Sequence, residues 1–188
     1  MERGIEKVRE RLLRAASALR QAGVPYAVVG GNAVAAWVSR VDETAVRNTR
    51  GVDILLRRAD MPAARAALET AGFVYRQVAS LGRAGSMDVF LDGPDARVRD
   101  AVHVLWAGEK VKADSPASSP DPDQAEDAGE FQLISLPALV TMKLTSFRDK
   151  DRMHLRDLLD AGLVDETWTK KLPPELAARL KQILDNPE

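Results

Sequence analysis

Two aspartates carry the first hint of chemistry, because each sits inside a short apolar run. Asp53 lies in GVDILL and Asp88 in SMDVFLD. A carboxylate inside an apolar strand is costly unless it is paired or holds a metal. Alternate side chains of a strand share a face, so Gly51, Asp53 and Leu55 point one way and Val52 and Ile54 the other. A carboxylate at position 51 would stand beside Asp53 and could share a metal with it, but the glycine removes that ligand. Clustered oxygen ligands hold magnesium in phosphoryl chemistry, with substrate phosphates completing the shell. Two such aspartates in separate strands point to a shared site; the alternative is that each faces solvent at a sheet edge.

Gly30 and Gly31, in VVGGNA, stand between an apolar strand and a helix. Such a pair lets backbone approach a ligand, and the helix N-terminus then offers free N–H groups to phosphate. The plainer reading is a tight strand-to-helix turn. The run lacks the third glycine of a dinucleotide fingerprint and the Gly-Lys-Ser/Thr of a Walker loop. Lys143 lies among Leu139, Val140, Leu144 and Phe147. It could reach a triphosphate as a point charge or snorkel at the surface. Lys150, Asp151, His154 and Asp157 fall on neighbouring helical turns. They read either as nucleotide or acceptor contacts or, more ordinarily, as a salt-bridged surface. His103 alternates with valines in AVHVLW and reads as a strand residue with one polar face. Trp37, Trp106 and Trp168 show no base-stacking spacing and read as packing residues.

The elements that must position these groups follow from periodicity. Residues 4–22 have apolar residues at helical spacing, stopped by Gly23 and Pro25. YAVVGG reads as a buried strand, NAVAAWVSR as a helix, and 42–50 as a polar loop. GVDILLR is a second strand. Asp60 reads as the N-cap, with Pro62 in the first turn, of a helix ending at Ala71 and Gly72. FVYRQVAS and SMDVFLD are strands flanking the turn LGRAG. GPDAR is a turn and AVHVLWA a further strand. Residues 111–129 hold Pro, Ser, Asp and Glu with almost no bulky apolar group, and predict an exposed, flexible acidic loop. FQLISL is a short strand. Pro137 opens a helix to about Phe147, followed by a helix through RDKDRMHLRDLLDAG and a last one from about Pro174 to Asp185.

The order predicts an α/β (α+β) domain with a helical C-terminal part. The chain of 188 residues has a net charge of -1 and 29% charged residues, which favours neither a strongly nucleic-acid-binding surface nor disorder. There is no cysteine, so disulfides, thiolate metal sites and a cysteine nucleophile are excluded. Two histidines argue against a multi-histidine zinc site. No apolar run approaches the roughly 18 residues of a membrane span. The charged start lacks the apolar core of a secretory signal. The expectation is a soluble, cytoplasmic protein.

The succession VGGNAVAAW, RNTRGVDILL and MDVFL resembles the nucleotidyltransferase superfamily of the DNA polymerase β fold. The nearest flavour is that of small bacterial AbiEii-like and antitoxin-like members. Gly30 and Gly31 match the Gly-Gly turn, Arg47 and Thr49 the Arg-x-Thr lead-in, Asp53 the second Asp of an Asp-x-Asp pair and Asp88 the third carboxylate. MKLTSFRDKDRMHLRDL is similar to the Lys-Leu helix and following charged helix of the AbiEii-like group. The resemblance covers roughly residues 20–160. It implies a mixed sheet flanked by helices over residues 1–135, with a helical section over 136–188 packed on it. It further implies transfer of a nucleotidyl group from a nucleoside triphosphate to a hydroxyl on an RNA, a protein or a small molecule. Mg2+ or Mn2+ would be held by Asp53 and Asp88, and Asp88 would activate the acceptor. Gly30, Gly31, Arg47, Thr49 and Lys143 would bind the nucleotide. The departure is Gly51, where the pattern has Asp. It supports a second hypothesis, an impaired homologue serving as a nucleotide-binding or toxin–antitoxin-like interaction module. A third, an α/β protein without a nucleotide site, predicts Asp53 and Asp88 far apart.

Overall fold

The computed structural model describes residues 2–79 and 85–187. The turn expected at 81–85 lies, except for Gly85, outside the described residues.

Helix α1 (Glu2–Gln21) buries the stripe Leu12, Ala15, Ala16 and Leu19 that its spacing predicts. Strand β1 (Tyr26–Val29) is buried along its whole length and runs straight into α2 (Gly30–Ser39). The two glycines therefore open the helix rather than close the strand. Gly30 makes the change of direction at φ 69°, a conformation that side chains with a Cβ avoid. Strand β2 (Val52–Leu56) returns antiparallel beside β1. Helix α3 (Met61–Thr70) has Pro62 in its first turn as expected, but the Asp60 side chain makes no capping bond. A 3-10 turn over Arg58–Asp60 leads into the helix, so Asp60 is already turning and lacks the extended backbone of a capping residue.

Strands β3 (Val74–Ala79), β4 (Ser86–Leu91), β5 (Val102–Trp106), β6 (Ala125–Asp127) and β7 (Gln132–Ile134) complete a seven-stranded mixed sheet. Its order is β3-β4-β5-β2-β1-β7-β6, with β2/β5 and β1/β7 parallel and the other neighbours antiparallel. One face, carrying Val28, Ile54, Phe90 and Val104, is covered by α1 and α3. The other, carrying Ala27, Val29 and Leu55, shares one apolar cluster with α2, α4 (Leu136–Ser146), α5 (Asp149–Asp160) and α6 (Pro174–Asp185). Leu139, Leu144, Leu155, Leu158 and Leu180 are fully buried there, each contributing about 1.5–3 kcal/mol. This is the mixed α/β architecture that the order of elements predicts.

The stretch 111–129 departs from its expectation. It is folded against the sheet rather than loose. The Gly108 N–H donates to the carbonyl oxygen of Ser119 and the Ser119 N–H to that of Glu109, and Ser115 is buried. Arg57 grips Asp121 through Nε and Nη2 at 2.9 and 2.7 Å, and the stretch ends as β6, paired to β7. Its polar composition reflects ion pairs and turn bonds, which supply order where apolar burial is scarce.

Candidate functional site

The site lies where β1 ends and β2 begins. The register Val29↔Asp53 sets Asp53 beside the turn into α2. The approach is close: a Cβ on Gly30 would lie 2.1 Å from Oδ2 of Asp53, so only glycine fits. Thr49 and Asn32 brace the lead-in to β2. The Thr49 hydroxyl and the Asn32 side-chain amide both donate to the carbonyl oxygen of Gly51, at 3.0 and 2.7 Å. The Thr49 methyl packs so tightly on Gly31 that a Cβ there would lie 2.4 Å away. No side chain among the described residues caps α2 at its N-terminus, and its first residue, Gly30, lines a cavity.

That cavity has a volume of about 410 Å³, the size range of a small-molecule site. Gly30, Asp53 and Lys143 line it together. Its polar flank also holds Lys112, Arg148, Lys150, Arg152 and Arg179, so six cationic side chains face three carboxylates, Asp53, Asp114 and Asp151. Its apolar flank includes Leu105, Leu139, Met142 and Phe147. The segment 111–119 forms one wall, so the supposed loose loop builds the site.

Lys143 is buried, not snorkelling. Its Nζ donates to Oδ1 of Asp151 at 3.0 Å. Asp151 also takes Nε of Arg148 at 2.8 Å and the Arg148 backbone N–H at 3.0 Å, which closes the first turn of α5. Burial pushes the Lys143 ammonium below its ordinary pKa, opposed by Asp151 and Asp53. Burial would raise the Asp151 carboxyl, but Arg148 and Lys143 outweigh it and hold it far below the usual range. Asp151 thus stays ionised and fixes both cations at the cavity wall.

Asp53 faces His103, its direct neighbour across β2 and β5. Nδ1 of His103 lies 3.3 Å from Oδ1 of Asp53, and Nε2 lies 2.7 Å from the carbonyl oxygen of Val98. Both partners are acceptors, an arrangement that favours the protonated ring. Burial alone would lower its pKa; the bond and charge of Asp53 and the Val98 carbonyl raise it above the ordinary value. Burial likewise works to raise the Asp53 carboxyl, but His103, Lys143 and Lys150 prevail and lower it.

Asp88 is a correction. The register Val89↔His103 puts Val89 on the face of Asp53 and turns Asp88 to the opposite face, with Phe90. There it is nearly buried and satisfied, accepting from the Tyr75 hydroxyl and, at 3.0 Å, from the Trp106 indole N–H. Asp53 and Asp88 therefore form no common site, as the third hypothesis expected, although the cavity at Asp53 remains. Arg47 is likewise placed elsewhere: it does not line the cavity, and its Nε donates to Asp157 of α5 at 2.6 Å. Of the charged turns of α5, Lys150 and Asp151 line the cavity, His154 is buried, and Asp157 holds Arg47.

The donor set does not fit a two-metal centre. Asp53 is flanked by Gly51 and the His103 ring, and among the described residues no group of three or more acids and histidines is disposed to hold a metal. The residues that the sequence does not mark as site residues are His103, Arg148 and Arg179; for 111–129, covering the site was one of two expectations. For His103 the signal was its place in a third apolar strand, but only strand order shows that this strand neighbours β2.

The sequence matches no protein-family model and no curated protein. Solved structures do match. The antibiotic-resistance factor ANT(2'')-Ia, in its solution structure, aligns at 14% identity over 92% of this chain and 88% of its own, with a TM-score of 0.50. The crystal structure of ANT(2'')-Ia with adenylyl-2''-tobramycin aligns at 15% identity over 92% and 94%, with a TM-score of 0.50. A candidate nucleotidyltransferase from H. pylori aligns at 12% identity over 100% and 79%, with a TM-score of 0.54. At such identities the likeness speaks for architecture, and the chain has the nucleotidyltransferase fold.

Proposed function

We propose that the cavity beside Asp53 binds a nucleoside triphosphate, and that the chain transfers its nucleotidyl group to a hydroxyl acceptor. The observation that carries this reading is the joint placement of the uncapped α2 N-terminus, Lys143 and a cationic flank around one cavity with an apolar flank. Phosphates suit the first three, and a base suits Leu139, Met142 and Phe147. In the transfer, the acceptor oxygen bonds to the α-phosphorus, pyrophosphate leaves, and the hydroxyl proton passes to Asp53. Positioning and cationic charge supply the catalysis. The acceptor is an RNA, a protein or a small molecule; one fold neighbour was solved with adenylyl-2''-tobramycin, an adenylylated small molecule. The AbiEii-like resemblance of the Lys143 helix and the charged helix after it favours a bacterial, cytoplasmic setting. Among the described residues no helix is long and apolar enough to cross a membrane.

A second reading, binding without turnover as in an antitoxin-like module, is favoured by Gly51 and His103, which stand where ligands to a metal would cluster. Transfer of label from each α-labelled triphosphate into bulk RNA, protein and aminoglycosides separates the two. Label transfer that Asp53→Asn abolishes supports the enzyme. Binding of nucleotide with no transfer to any acceptor selects the second reading.

A further inference from the structure

We propose that the cavity binds its nucleoside triphosphate without a divalent metal, its cationic side chains neutralising the phosphates. This rests on the nucleotide reading above and deepens it.

The first ground is what surrounds Asp53. A metal ion needs several oxygen ligands, and magnesium is commonly held by carboxylates together with phosphates. On its own face Asp53 neighbours position 51 and Leu55 along the chain, and Val29 and His103 across to β1 and β5; the two apolar side chains offer no ligand. Position 51 supplies nothing. At 103 stands a ring whose Nε2 is engaged by the Val98 carbonyl and whose Nδ1 faces Asp53 itself. The space is also taken: a Cβ on Gly51 would lie 2.8 Å from Cε1 of His103 and 3.1 Å from the carbonyl oxygen of Arg99. His103 packs into the volume that a ligand from position 51 would need.

The second ground is charge. In a metal-dependent site the ions neutralise the phosphates and stabilise the oxygens that exchange bonds. Here the protein supplies the positive charge itself. Lys143 and Arg148 are fixed by Asp151, while Lys112, Lys150 and Arg152 form no ion pair among the described residues. With six cationic side chains against Asp53, Asp114 and Asp151, the cavity lining is net positive, which disfavours a cation and attracts a phosphate. Magnesium in solution then competes with the protein for the triphosphate instead of joining it.

Calorimetric titration of the whole chain with ATP, GTP, CTP and UTP, in excess EDTA and again in excess magnesium chloride, tests this. At least one triphosphate is expected to bind in EDTA within threefold of its affinity in magnesium, or more tightly. A loss of more than threefold in EDTA overturns metal independence and leaves the nucleotide reading standing. Failure of all four to bind in either buffer overturns the nucleotide reading and this inference with it. Lys150→Gln, at an exposed position with no ion pair or hydrogen bond among the described residues, is expected to weaken binding in EDTA by about tenfold. Unchanged affinity in that variant means the cationic flank does not hold the phosphates, which also overturns the proposal.

Discussion

The imidazole of His103 fills the space into which a side chain at position 51 would grow. A Cβ on Gly51 would stand 2.8 Å from Cε1 and 3.0 Å from Nδ1 of the ring, with the Arg99 carbonyl oxygen 3.1 Å away. The ring cannot swing clear without breaking its bonds to Val98 and Asp53. A glycine at 51 and a histidine at 103 are thus one feature of the site.

Coupling between these positions is the first expectation. Gly51→Ala should destabilise the fold by about 1–3 kcal/mol through overpacking. In a His103→Ala background the same change should cost at least about 1 kcal/mol less. Urea denaturation of the four chains gives the cycle. Equal costs in both backgrounds would show that the ring is not the obstacle.

Gly30→Ala should be more severe, at about 2–4 kcal/mol, because a positive φ and an overlap add. The backbone there sits at φ 69°, and the new methyl would lie 2.1 Å from Oδ2 of Asp53. Denaturation midpoints measure the loss. A change under about 0.5 kcal/mol would mean the turn relaxes easily and does not fix Asp53.

Asp151→Asn should cost about 3–5 kcal/mol, since it leaves buried Lys143 without its carboxylate. Adding Lys143→Met should restore part of that stability, because an apolar chain of similar length needs no partner. No recovery in the double variant would place the cost in the lost cap of α5, where Asp151 holds the Arg148 backbone N–H, and not in the buried charge.

Asp88→Asn separates the two faces of the sheet. It should lower stability by about 1–2 kcal/mol through the bonds to Tyr75 and Trp106, while nucleotide affinity stays unchanged. A collapse of affinity in a folded Asp88→Asn chain would return Asp88 to the site.

His154 gives a pH dependence of known sign. Burial, reinforced by the charges of Lys143 and Lys150, holds its pKa down at about 4. An unfolded histidine takes its proton near 6.5. Below that value the unfolded chain binds more protons than the native one, so this contribution is complete above about pH 6.5 and fades as pH falls through about 4. The expected loss is about 2 kcal/mol between pH 7 and pH 4.5. His154→Leu, at a site where Nδ1 has no hydrogen-bond partner among the described residues, should lack it. Parallel pH profiles for the two chains would contradict the assignment.

Most elements were legible in the sequence, because period and turn residues mark them locally. The stripe of α1 and the stops at Gly23 and Gly72 needed no tertiary information. Gly30, Asp53 and Lys143 were also found, each by a polar or backbone anomaly in an apolar setting, and they line one cavity. Asp88 shows the limit. Alternation tells which residues of one strand share a face, but only the β4–β5 register tells which face that is. His103 was passed over for the same reason: nothing local shows that its strand lies against β2. Arg47 sits next to the right strand, yet its charge goes to Asp157, far along the chain. Residues 111–129 look loose by composition, and the ion pair to Arg57 and the pairing of β6 that order them are long-range.

The most direct measurement of the central claim follows backbone amide resonances as a nucleoside triphosphate is added to the chain. Shifts are expected to cluster at Gly30, within Lys112–Ser119 and within Lys143–Arg152, the stretches that line one cavity, with the amides near Asp88 unmoved. Shifts centred on Asp88, Trp106 and Tyr75, or none anywhere with triphosphate in large excess, would contradict it.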